Sequence, residues 1–310
     1  MTFDSGANDT VTIVIPTLNE REAIGLVIDE FRIHGYNNIL VVDGGSSDGT
    51  IEIVKSKGVK LVFQEGKGKA AAIATALKYV NTPYVLIVDG DYTYPARFLK
   101  DMLKVMKEQH CDEVIGARLY GEGHTPIFRF GNAVLTKLFN FLFGTKLRDV
   151  LSGMYLVRMD AIRDVLFEMK GFSVESEIAA HIASMGGKIC EVPIEYRKRL
   201  GKKKLGIKHG FAIALDMIRL AYRYNPVFIL LIPSLILSLI GLALLGYVAY
   251  HYFIYGIKHY VKALIGLIVL ALGGAGVFIS LLSIYLKRVE IRIYRRIRSL
   301  EKRLGNDEEA

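Results

Sequence analysis

Four short apolar segments before residue 90 are each followed by a polar loop and then by a helical pattern. The segments are rich in valine and isoleucine, which is typical of buried strands, and the stretches between them repeat apolar residues with a helical period. Strands that alternate with helices predict an α/β domain with a mostly parallel sheet. Ligands bind outside the carboxyl ends of the strands in such sheets, so we expect all four loops at one edge. The predicted strands are 11–15, 39–42, 59–63 and 84–88.

Two carboxylates stand directly after the fourth apolar segment, as Asp89 and Asp91 with one glycine between them. Carboxylates at alternating positions where a strand ends can converge on one hard cation that also binds phosphate oxygens. A simple acidic turn after a core strand would have the same sequence. The other loops, 16–20, 43–50 and 66–69, therefore distinguish a cation site from such a turn. Four polar loops at one sheet edge are most simply explained by a nucleotide site, although none is a Walker loop or a dinucleotide fingerprint.

Two long uncharged segments follow the α/β domain, at 227–250 and 263–286. Each has roughly 24 residues, more than the approximately 20 that a membrane-spanning helix needs. An amphipathic pattern at 207–224 predicts a helix that lies in the membrane interface before the first span. Lysine and arginine concentrate on the outer flanks of the spans, whereas the connection between them carries only Lys258 and Lys262. Because positive flanks stay in the cytoplasm, both large ends of the chain are predicted to be cytoplasmic.

Net charge, small residues and cysteines indicate the partners and the cellular setting of the chain. The net charge of +9 fits a membrane surface better than nucleic acid, because much of the basic surplus flanks the spans. The glycine-rich run 273–276 offers close helix packing, either within the chain or between subunits of a homo-oligomer. Cys111 and Cys190 are far apart in sequence, and nothing beside them suggests a metal or redox pair. We therefore expect a lipid bilayer and no nucleic acid as partners, with reduced cysteines in a cytosolic setting.

Three of the polar loops carry motifs whose order and spacing are specific. They resemble glycosyltransferase family 2 and read Pro16-Thr17-Leu18-Asn19-Glu20, Asp43-Gly44-Gly45-Ser46-Ser47-Asp48-Gly49-Thr50 and Asp89-Gly90-Asp91. The resemblance extends to about residue 205 and implies a GT-A fold, a nucleoside diphosphate sugar donor, Mg2+ or Mn2+, and inversion at the anomeric carbon. Gly44 departs from the family, which usually has a second acid there that contacts the base. Base recognition by Asp43 is therefore an inference, and the choice between uridine and guanosine donors stays open.

The same resemblance implies roles for individual residues. Asp89 and Asp91 would bind the metal, with Asp91 at the catalytic centre. The donor would be bound by Asp89 and by residues of the first three loops, which are Pro16, Thr17, Asn19, Glu20, Asp43 and Lys67.

Basic residues further along the chain are candidates for phosphate binding. Arg118 ends the next predicted strand and Arg129 precedes a helix, and each is either a surface residue or a bidentate clamp on phosphate oxygens. In the basic loop after the last predicted strand, either Arg197 or Arg199 could match the family's arginine, and Arg199 is favoured together with Lys204. This loop also fits a patch that lies on anionic lipid beside the membrane, and both interpretations can hold together.

Three acidic residues in the second half of the domain are further candidates. Asp149 begins an Asp-x-x-Ser-Gly motif similar to that of family members that use lipid phosphates, with Met154 in place of an aromatic residue. By resemblance, Asp149 would lie near the donor sugar. Glu175 and Glu177 stand in the first turn of a predicted helix, where the helix dipole alone favours acids, so their part in the site is left open.

A phosphate acceptor would remove the need for a catalytic base. A sugar hydroxyl needs a base to accept its proton, whereas a phosphomonoester, with a second pKa of about 6, is already an anionic nucleophile. Arginines and lysines beside a membrane suit such an acceptor. The chain resembles the polyprenyl-phosphate glycosyltransferases of the family, the dolichol-phosphate mannose and glucose synthases, which act in protein glycosylation. We expect transfer of a hexose or N-acetylhexosamine to polyprenyl (dolichyl) phosphate at the cytoplasmic membrane face.

Two alternative functions remain. One is a non-processive glycosyltransferase that uses a hydroxyl of a glycan or of diacylglycerol, and the other is a catalytically silent membrane scaffold that binds nucleotide sugars. A processive synthase is disfavoured because its tryptophan motif is missing from a chain without tryptophan. The predicted organisation is a GT-A glycosyltransferase domain at 1–205, an amphipathic interface helix at 206–225, two transmembrane helices with a short connection at 226–287, and a basic cytoplasmic tail helix at 288–310.

Overall fold

A computed structural model describes residues 10–121, 126–163, 165, 167, 174–201 and 207–308 of the chain. The chain divides into two compact units, 1–220 and 221–310. The predicted loops belong to the first unit, and the two long apolar segments belong to the second.

Seven strands form one sheet in the first unit. They are β1 Val11–Thr17, β2 Ile39–Asp43, β3 Lys60–Phe63, β4 Tyr84–Val88, β5 Glu113–Tyr120, β6 Met154–Arg158 and β7 Ile189–Glu195. Their order across the sheet is β3-β2-β1-β4-β6-β5-β7. Among these strands only β6 is antiparallel to its neighbours, β4 and β5. The prediction of an α/β domain with a mostly parallel sheet is therefore confirmed.

This topology brings two kinds of chain segment to the same edge of the sheet. The parallel strands end there, so the loops after β1, β2, β3 and β4 meet at that edge. Because β6 runs in the opposite direction, it begins there, and the Asp149–Gly153 segment before it joins the same loops. The predicted motifs from both halves of the domain thus lie along one edge.

Helices cover the sheet, whose central strands are buried on both faces. Every residue of β2 is buried, as expected for a parallel strand between two helical layers. Alternate residues such as Ile13 and Ile15 belong to a core cluster that also contains residues of α1 and α4. The helices of this unit are α1 Ile24–Ile33, α2 Thr50–Ser56, α3 Lys69–Leu77, α4 Phe98–Gln109, α5 Pro126–Phe143, α6 Met159–Ile162 and α7 Val174–Ser184, followed by α8 Ile207–Tyr224 at the boundary.

The cysteines differ from the prediction. Cys111 and Cys190 form a disulfide, with their Cα atoms 6.1 Å apart. The expectation of two unpaired cysteines was wrong because it relied on their distance along the chain. Parallel pairing of β5 with β7 places Val114 opposite Cys190, which brings the end of α4 beside β7. The sequence separation of 79 residues hides this proximity.

Two long apolar helices, α9 Pro226–Tyr255 and α10 Tyr260–Glu308, make up the second unit. Within them, Ile229–Tyr255 and Tyr260–Ile293 are long and apolar enough to cross a membrane. Only 6% and 17% of their most apolar windows are buried inside the protein, so neither is the core helix of a soluble domain. The predicted tail is continuous with the second span, because α10 extends without a break to Glu308.

Small residues allow α9 and α10 to pack closely. A Cβ atom at Gly273 would lie 2.5 Å from the backbone nitrogen of Ser238, and one at Gly241 would lie 2.5 Å from that of Leu270. A Cβ atom at Gly274 would meet nothing within 4 Å. The glycine-rich run therefore serves packing within the chain at Gly273, whereas Gly274 faces away from α9.

Candidate active site

The loops after β1 and β2 are joined by hydrogen bonds into one structure. The backbone N–H of Asn19 donates to Ser46 Oγ at 2.8 Å, and that of Ser47 donates to Asn19 Oδ1 at 2.9 Å. The backbone N–H of Glu20 donates to Thr50 Oγ1 at 2.9 Å. Asn19 has φ +52°, a conformation that asparagine tolerates better than most residues. Asn19 thus stabilises the conformation of both loops.

Asp43 also stabilises the conformation of the loop after β2. Its Oδ1 accepts hydrogen bonds from the backbone N–H groups of Gly45 and Ser46 at 2.8 and 2.7 Å, and its Oδ2 accepts from the Ser46 hydroxyl at 2.6 Å. These bonds form the turn that leads into α2. The carboxamide of Gln64 lies beside Gly44, where a Cβ atom would be 3.2 Å from Gln64 Oε1. Gln64 therefore fills the space in which the family's second acid would begin.

Pro16 and Thr17 belong to the sheet edge itself. They form the last residues of β1 and pair with Val42 and Asp43 of β2. Thr17 is buried, and its hydroxyl donates to the carbonyl of Ile15 at 3.1 Å. Both residues fix where the first loop leaves the sheet.

Asp89 and Asp91 lie at the centre of this edge, and each carboxylate is held by a cationic side chain. Asp89 Oδ1 is 2.5 Å from Lys69 Nζ, and Asp91 Oδ2 is 3.0 Å from Arg199 Nη1. Thr93 donates its hydroxyl to Asp91 Oδ1 at 2.5 Å. Burial raises the pKa of Asp91 and the charge of Asp89 raises it further, against the opposing effects of Thr93 and Arg199. The two carboxylates therefore repel one another, and the positive charges of Lys69 and Arg199 offset this repulsion.

The donor set fits a divalent cation that also binds a diphosphate. Among the described residues, no group of three or more histidine, cysteine or acidic side chains could hold a metal on its own. Mg2+ is commonly bound by one or two carboxylates together with substrate phosphates and water. Asp89 and Asp91 supply such a pair, and the Asp89 side chain keeps 33% of its surface exposed.

Lys69 contacts the candidate site, and the sequence interpretation missed it. It is the first residue of α3, and its Nζ is 2.5 Å from both Asp89 Oδ1 and Glu175 Oε1. Burial alone would lower the pKa of Lys69, but the two carboxylates outweigh it and hold the pKa well above its usual value. Lys67, the lysine that we predicted to bind the donor, is exposed in the loop before α3. The signal was present in the sequence, because Lys69 stands directly before the alanine-rich helical pattern.

Glu175 enters the site through Lys69. Its side chain is buried at the start of α7, and burial raises its pKa while Lys69 opposes this effect. Glu175 Oε2 and the Tyr155 hydroxyl are buried and have no hydrogen-bond partner among the described residues. Glu177 is buried in the same turn and has contacts of its own. The sequence left open whether Glu175 or Glu177 takes part in the site. In the structure, Glu175 lies beside the carboxylate pair.

Arg118 and Asp149 form a buried pair at the end of β5. Arg118 Nε donates to Asp149 Oδ2 at 2.6 Å and Nη2 donates to Oδ1 at 2.7 Å, and Asn132 Nδ2 also donates to Oδ1 at 2.7 Å. Burial alone would raise the pKa of Asp149, but Arg118 and Asn132 outweigh it and lower the pKa to about 2. The guanidinium also lies over the ring of Tyr196, with its central carbon 5.4 Å from the centroid. Asp149 thus fixes the orientation of Arg118.

Gly153 connects this segment to the carboxylate pair. A Cβ atom at Gly153 would overlap Asp89 Oδ2, so the absence of a side chain makes room for that carboxylate. The backbone N–H of Gly153 donates to the Tyr94 hydroxyl at 2.6 Å, and its carbonyl accepts from the N–H of Asp89 at 3.1 Å. The segment before β6 therefore positions Asp89 directly.

The two candidate arginines after β7 have different surroundings. Arg197 makes bidentate contacts of 2.8 and 2.9 Å with Glu30. Arg199 bridges two loops of the site, because it contacts Glu20 Oε1 at 2.5 Å as well as Asp91. Arg199, and not Arg197, therefore belongs to the carboxylate cluster.

Two further predicted residues are not shown in contact with the cluster. Arg129 is exposed on α5, three residues before Asn132, so both lie on one side of that helix. Lys204 lies outside the described residues.

Known proteins resemble this chain in sequence and in fold. Residues 12–166 match the family description "Glycosyl transferase family 2". Glycosyltransferase AglJ of Haloferax volcanii is 34% identical over 300 residues, which span 94% of this chain and 99% of that protein. The dolichyl-phosphate hexose transferase of the same organism is 33% identical over 217 residues, which span 68% of this chain and 93% of that protein.

Solved structures with the same fold belong to glucosyl-3-phosphoglycerate synthase from Mycobacterium tuberculosis. The complex with phosphoglyceric acid has a TM-score of 0.59 and 20% sequence identity, and covers 71% of this chain and 81% of that one. The complex with Mn2+, UDP-glucose and phosphoglyceric acid has a TM-score of 0.58 at 20% identity and the same coverage. These likenesses concern the fold alone and confirm the predicted GT-A fold.

Proposed function

Because the chain belongs to glycosyl transferase family 2, we propose that it transfers a hexose or N-acetylhexosamine from a nucleoside diphosphate sugar to a polyprenyl phosphate at the cytoplasmic membrane face. The observation that carries this proposal is the carboxylate pair Asp89 and Asp91 at the sheet edge, with Lys69 and Arg199 bound to it. The chain is a membrane-associated glycosyltransferase, and α9 and α10 contain its two candidate membrane spans. To family membership and membrane association, the proposal adds a lipid acceptor, inversion at the anomeric carbon, a divalent metal and a cytoplasmic site.

The donor would lie along the edge formed by the first four strands. Its diphosphate would meet Asp89 and Asp91 through Mg2+ or Mn2+, and the nucleoside would lie over the joined loops after β1 and β2. When bound, the metal would neutralise charge on the departing diphosphate. The protein's own cations, Lys69 and Arg199, would add to this effect because they already lie within hydrogen-bonding distance of the carboxylate pair. Metal complexes of the M. tuberculosis structures with UDP and with UDP-glucose support this assignment by analogy of fold.

The acceptor side of the site offers oriented cations. Asp149 holds Arg118 through Nε and Nη2, which leaves Nη1 without a partner among the described residues. A guanidinium fixed in this way can bind a phosphate oxygen without losing side-chain entropy. A phosphate acceptor is already anionic and needs no base. This matters here because Glu175, a buried acid near Asp89, is already paired with Lys69.

Apolar surface on the helices α5 and α8 suits a lipid acceptor. Exposed apolar residues of α5 recur at helical spacing and form one stripe of Ile127, Phe130, Val134 and Phe141. On α8 the exposed residues Phe211, Leu215, Ile218 and Tyr222 form a second stripe. Apolar stripes of this kind favour burial in a membrane interface. They support a site that receives its acceptor from the bilayer.

The test uses membranes that contain the full chain. They are incubated with polyprenyl phosphate and with labelled UDP-glucose, UDP-GlcNAc or GDP-mannose, with and without EDTA. We expect label from one donor to enter a lipid-extractable product, and we expect EDTA to abolish this transfer. Asp91→Asn should lower the rate at least about 100-fold, since it removes charge that acts on the leaving diphosphate.

A matched control is Asp101→Asn, which changes an exposed acid on α4 and should keep the full rate. Label that appears only in glycan or in diacylglycerol would replace the acceptor that we propose. No labelled product with any donor would favour a nucleotide-sugar-binding scaffold. An Asp91→Asn protein with full EDTA-sensitive turnover would remove the metal assignment.

A further inference from the structure

Lys69 lies between two carboxylates of different elements, Asp89 after β4 and Glu175 at the start of α7. Both distances from Nζ are 2.5 Å. The side chains of Lys69 and Glu175 keep only 15% and 9% of their surfaces exposed. The ammonium group therefore depends on these two carboxylates rather than on water for its counter-charge.

This placement makes Lys69 a competitor for any cation that binds Asp89. Lys69 occupies Oδ1 of Asp89, and Arg199 lies on the carboxylate of Asp91, so each member of the pair already has a cationic partner. A divalent cation that approaches the bare protein therefore competes with these contacts for the carboxylate oxygens. Breaking a buried ion pair is costly unless the displaced charge finds another partner.

Two anions can serve as that partner. Glu175 remains beside Lys69 when Asp89 is withdrawn, and its Oε2 atom has no hydrogen-bond partner among the described residues. A diphosphate that arrives with the cation supplies further oxygen atoms. Binding of the cation and of the nucleotide should consequently favour each other, and Lys69 is the residue through which they do so.

We propose that Lys69 is a positioning residue that couples divalent-cation binding at Asp89 to nucleoside diphosphate binding, with Glu175 as the carboxylate that retains its ammonium group. This proposal rests on the metal-dependent donor site proposed above. It adds that the carboxylate pair disfavours a bare cation and accepts it together with the diphosphate. By linkage, the nucleotide must then raise cation affinity by the same factor as the cation raises nucleotide affinity.

The experiment measures Mn2+ binding to the full chain in detergent, from the electron paramagnetic resonance signal of free Mn2+, alone and with UDP or GDP. For the unchanged protein we expect Mn2+ to bind at least tenfold more tightly when the nucleotide is present. Lys69→Met should raise the affinity for Mn2+ alone about tenfold and shrink the nucleotide effect by a similar factor. Glu175→Gln should act in the opposite direction and weaken Mn2+ binding, because Lys69 then depends on Asp89 alone.

Controls separate this effect from general damage. Lys78→Met removes a lysine that follows α3 and pairs with Glu65 on the surface, and it should leave both affinities unchanged. Lys69→Arg keeps the positive charge and should stay closer to the unchanged protein than Lys69→Met does. Opposite shifts from Lys69→Met and Glu175→Gln would not arise from a loosened fold, which would weaken binding in both.

Two negative results have different meanings. If the unchanged protein binds Mn2+ with nucleotide but Lys69→Met leaves the affinity for Mn2+ alone unchanged or lower, the role of Lys69 is refuted and the donor site stands. If the unchanged protein binds no Mn2+ with or without UDP or GDP, the metal site of the proposed function is refuted, and this inference with it.

Discussion

At position 153 a glycine leaves the space into which the Asp89 carboxylate fits, so a single methyl group tests how closely that carboxylate is positioned. In Gly153→Ala the new Cβ would overlap Asp89 Oδ2 and lie 3.1 Å from the Tyr94 hydroxyl. Asp89 must then leave its place, and a shift of about 1 Å at a reacting group can lower a rate about 100-fold. We expect a loss of this size in sugar transfer, measured with the labelled donor, and a small change in thermal stability.

The matched control for this change is Gly131→Ala on α5. A Cβ atom at Gly131 meets nothing within 4 Å, and alanine is the better helix former by about 1 kcal/mol. This variant should keep its transfer rate. Equal activity in both variants would show that the position of Asp89 does not depend on Gly153.

Glu113 is a buried acid at the start of β5, and it should make the stability of the fold depend on pH. Burial raises its pKa from 4.5 to about 8, and its Oε2 atom has no partner among the described residues. Between these two values the unfolded chain releases the proton while the folded chain keeps it. The free energy of unfolding is therefore undiminished by Glu113 below about pH 4.5. It falls as the pH rises toward 8, by a few kcal/mol in total.

We expect Glu113→Gln to remove this loss, because glutamine resembles the protonated acid in shape and stays neutral. The variant and the unchanged protein should melt alike near pH 5, and the variant should melt at a higher temperature near pH 8. Circular dichroism in detergent is the suitable probe, since the chain has no tryptophan. Glu108→Gln on the exposed face of α4 is the control and should follow the unchanged protein at every pH. Parallel melting curves for Glu113→Gln and the unchanged protein would contradict the assignment.

The sequence selected some residues of the candidate site and missed others, and the range of the contacts explains the difference. Asp89 and Asp91 follow an apolar strand directly, so local pattern was enough to select them. Lys69 and Glu175 are selected only by a contact across 106 residues, and the disulfide partners by a contact across 79. Contacts of this range depend on strand order, which periodicity does not reveal.

At the scale of elements, the direction of β6 explains how the second half of the domain reaches the site. The sequence predicted strands and helices well, including β4 at its observed bounds, Tyr84–Val88. It did not predict that β6 is antiparallel and begins at the edge where the other strands end. This reversal lets Asp149 orient Arg118 and lets Gly153 meet Asp89. The same residues before a parallel strand would lie at the opposite edge.

The membrane helices offer an element-scale prediction in which adjacent glycines differ. Gly273→Leu would force a side chain into the backbone of Ser238, whereas Gly274→Leu would place one where nothing lies within 4 Å. We expect Gly273→Leu to separate α9 from α10 and to lower the melting temperature in detergent clearly. Gly274→Leu should preserve the pair of helices, as measured by the same melting curve.

Size-exclusion chromatography of both variants answers the question of subunit contacts. A change of oligomeric state in Gly274→Leu, with unchanged melting, would assign the outer face of α10 to a second copy of the chain. Equal destabilisation by both leucines would contradict the packing of Gly273 against α9.

At the scale of the whole molecule, the direction in which the chain crosses the membrane decides which substrates it can meet. Nucleoside diphosphate sugars carry charge that a bilayer does not pass, so the donor site must face the side on which they are supplied. Positive residues near span ends remain in the cytoplasm, and the connection between the spans carries only Lys258 and Lys262, far fewer than the outer flanks. We therefore expect the first unit and the tail in the cytoplasm and the connection on the opposite side.

Single cysteines introduced at Ser56, His259 and Ser299 can report this arrangement, because the native cysteines are joined in the disulfide. A membrane-impermeant maleimide should label His259→Cys in intact cells, and Ser56→Cys and Ser299→Cys only after the membrane is opened. Ser56 is exposed at the end of α2, away from the carboxylate pair, so its label reports the side of the catalytic unit without blocking the site. Labelling of Ser56→Cys in intact cells would place the donor site outside the cytoplasm. The reaction would then need a supply of activated sugar on that side, and the proposed function would fail together with the predicted orientation.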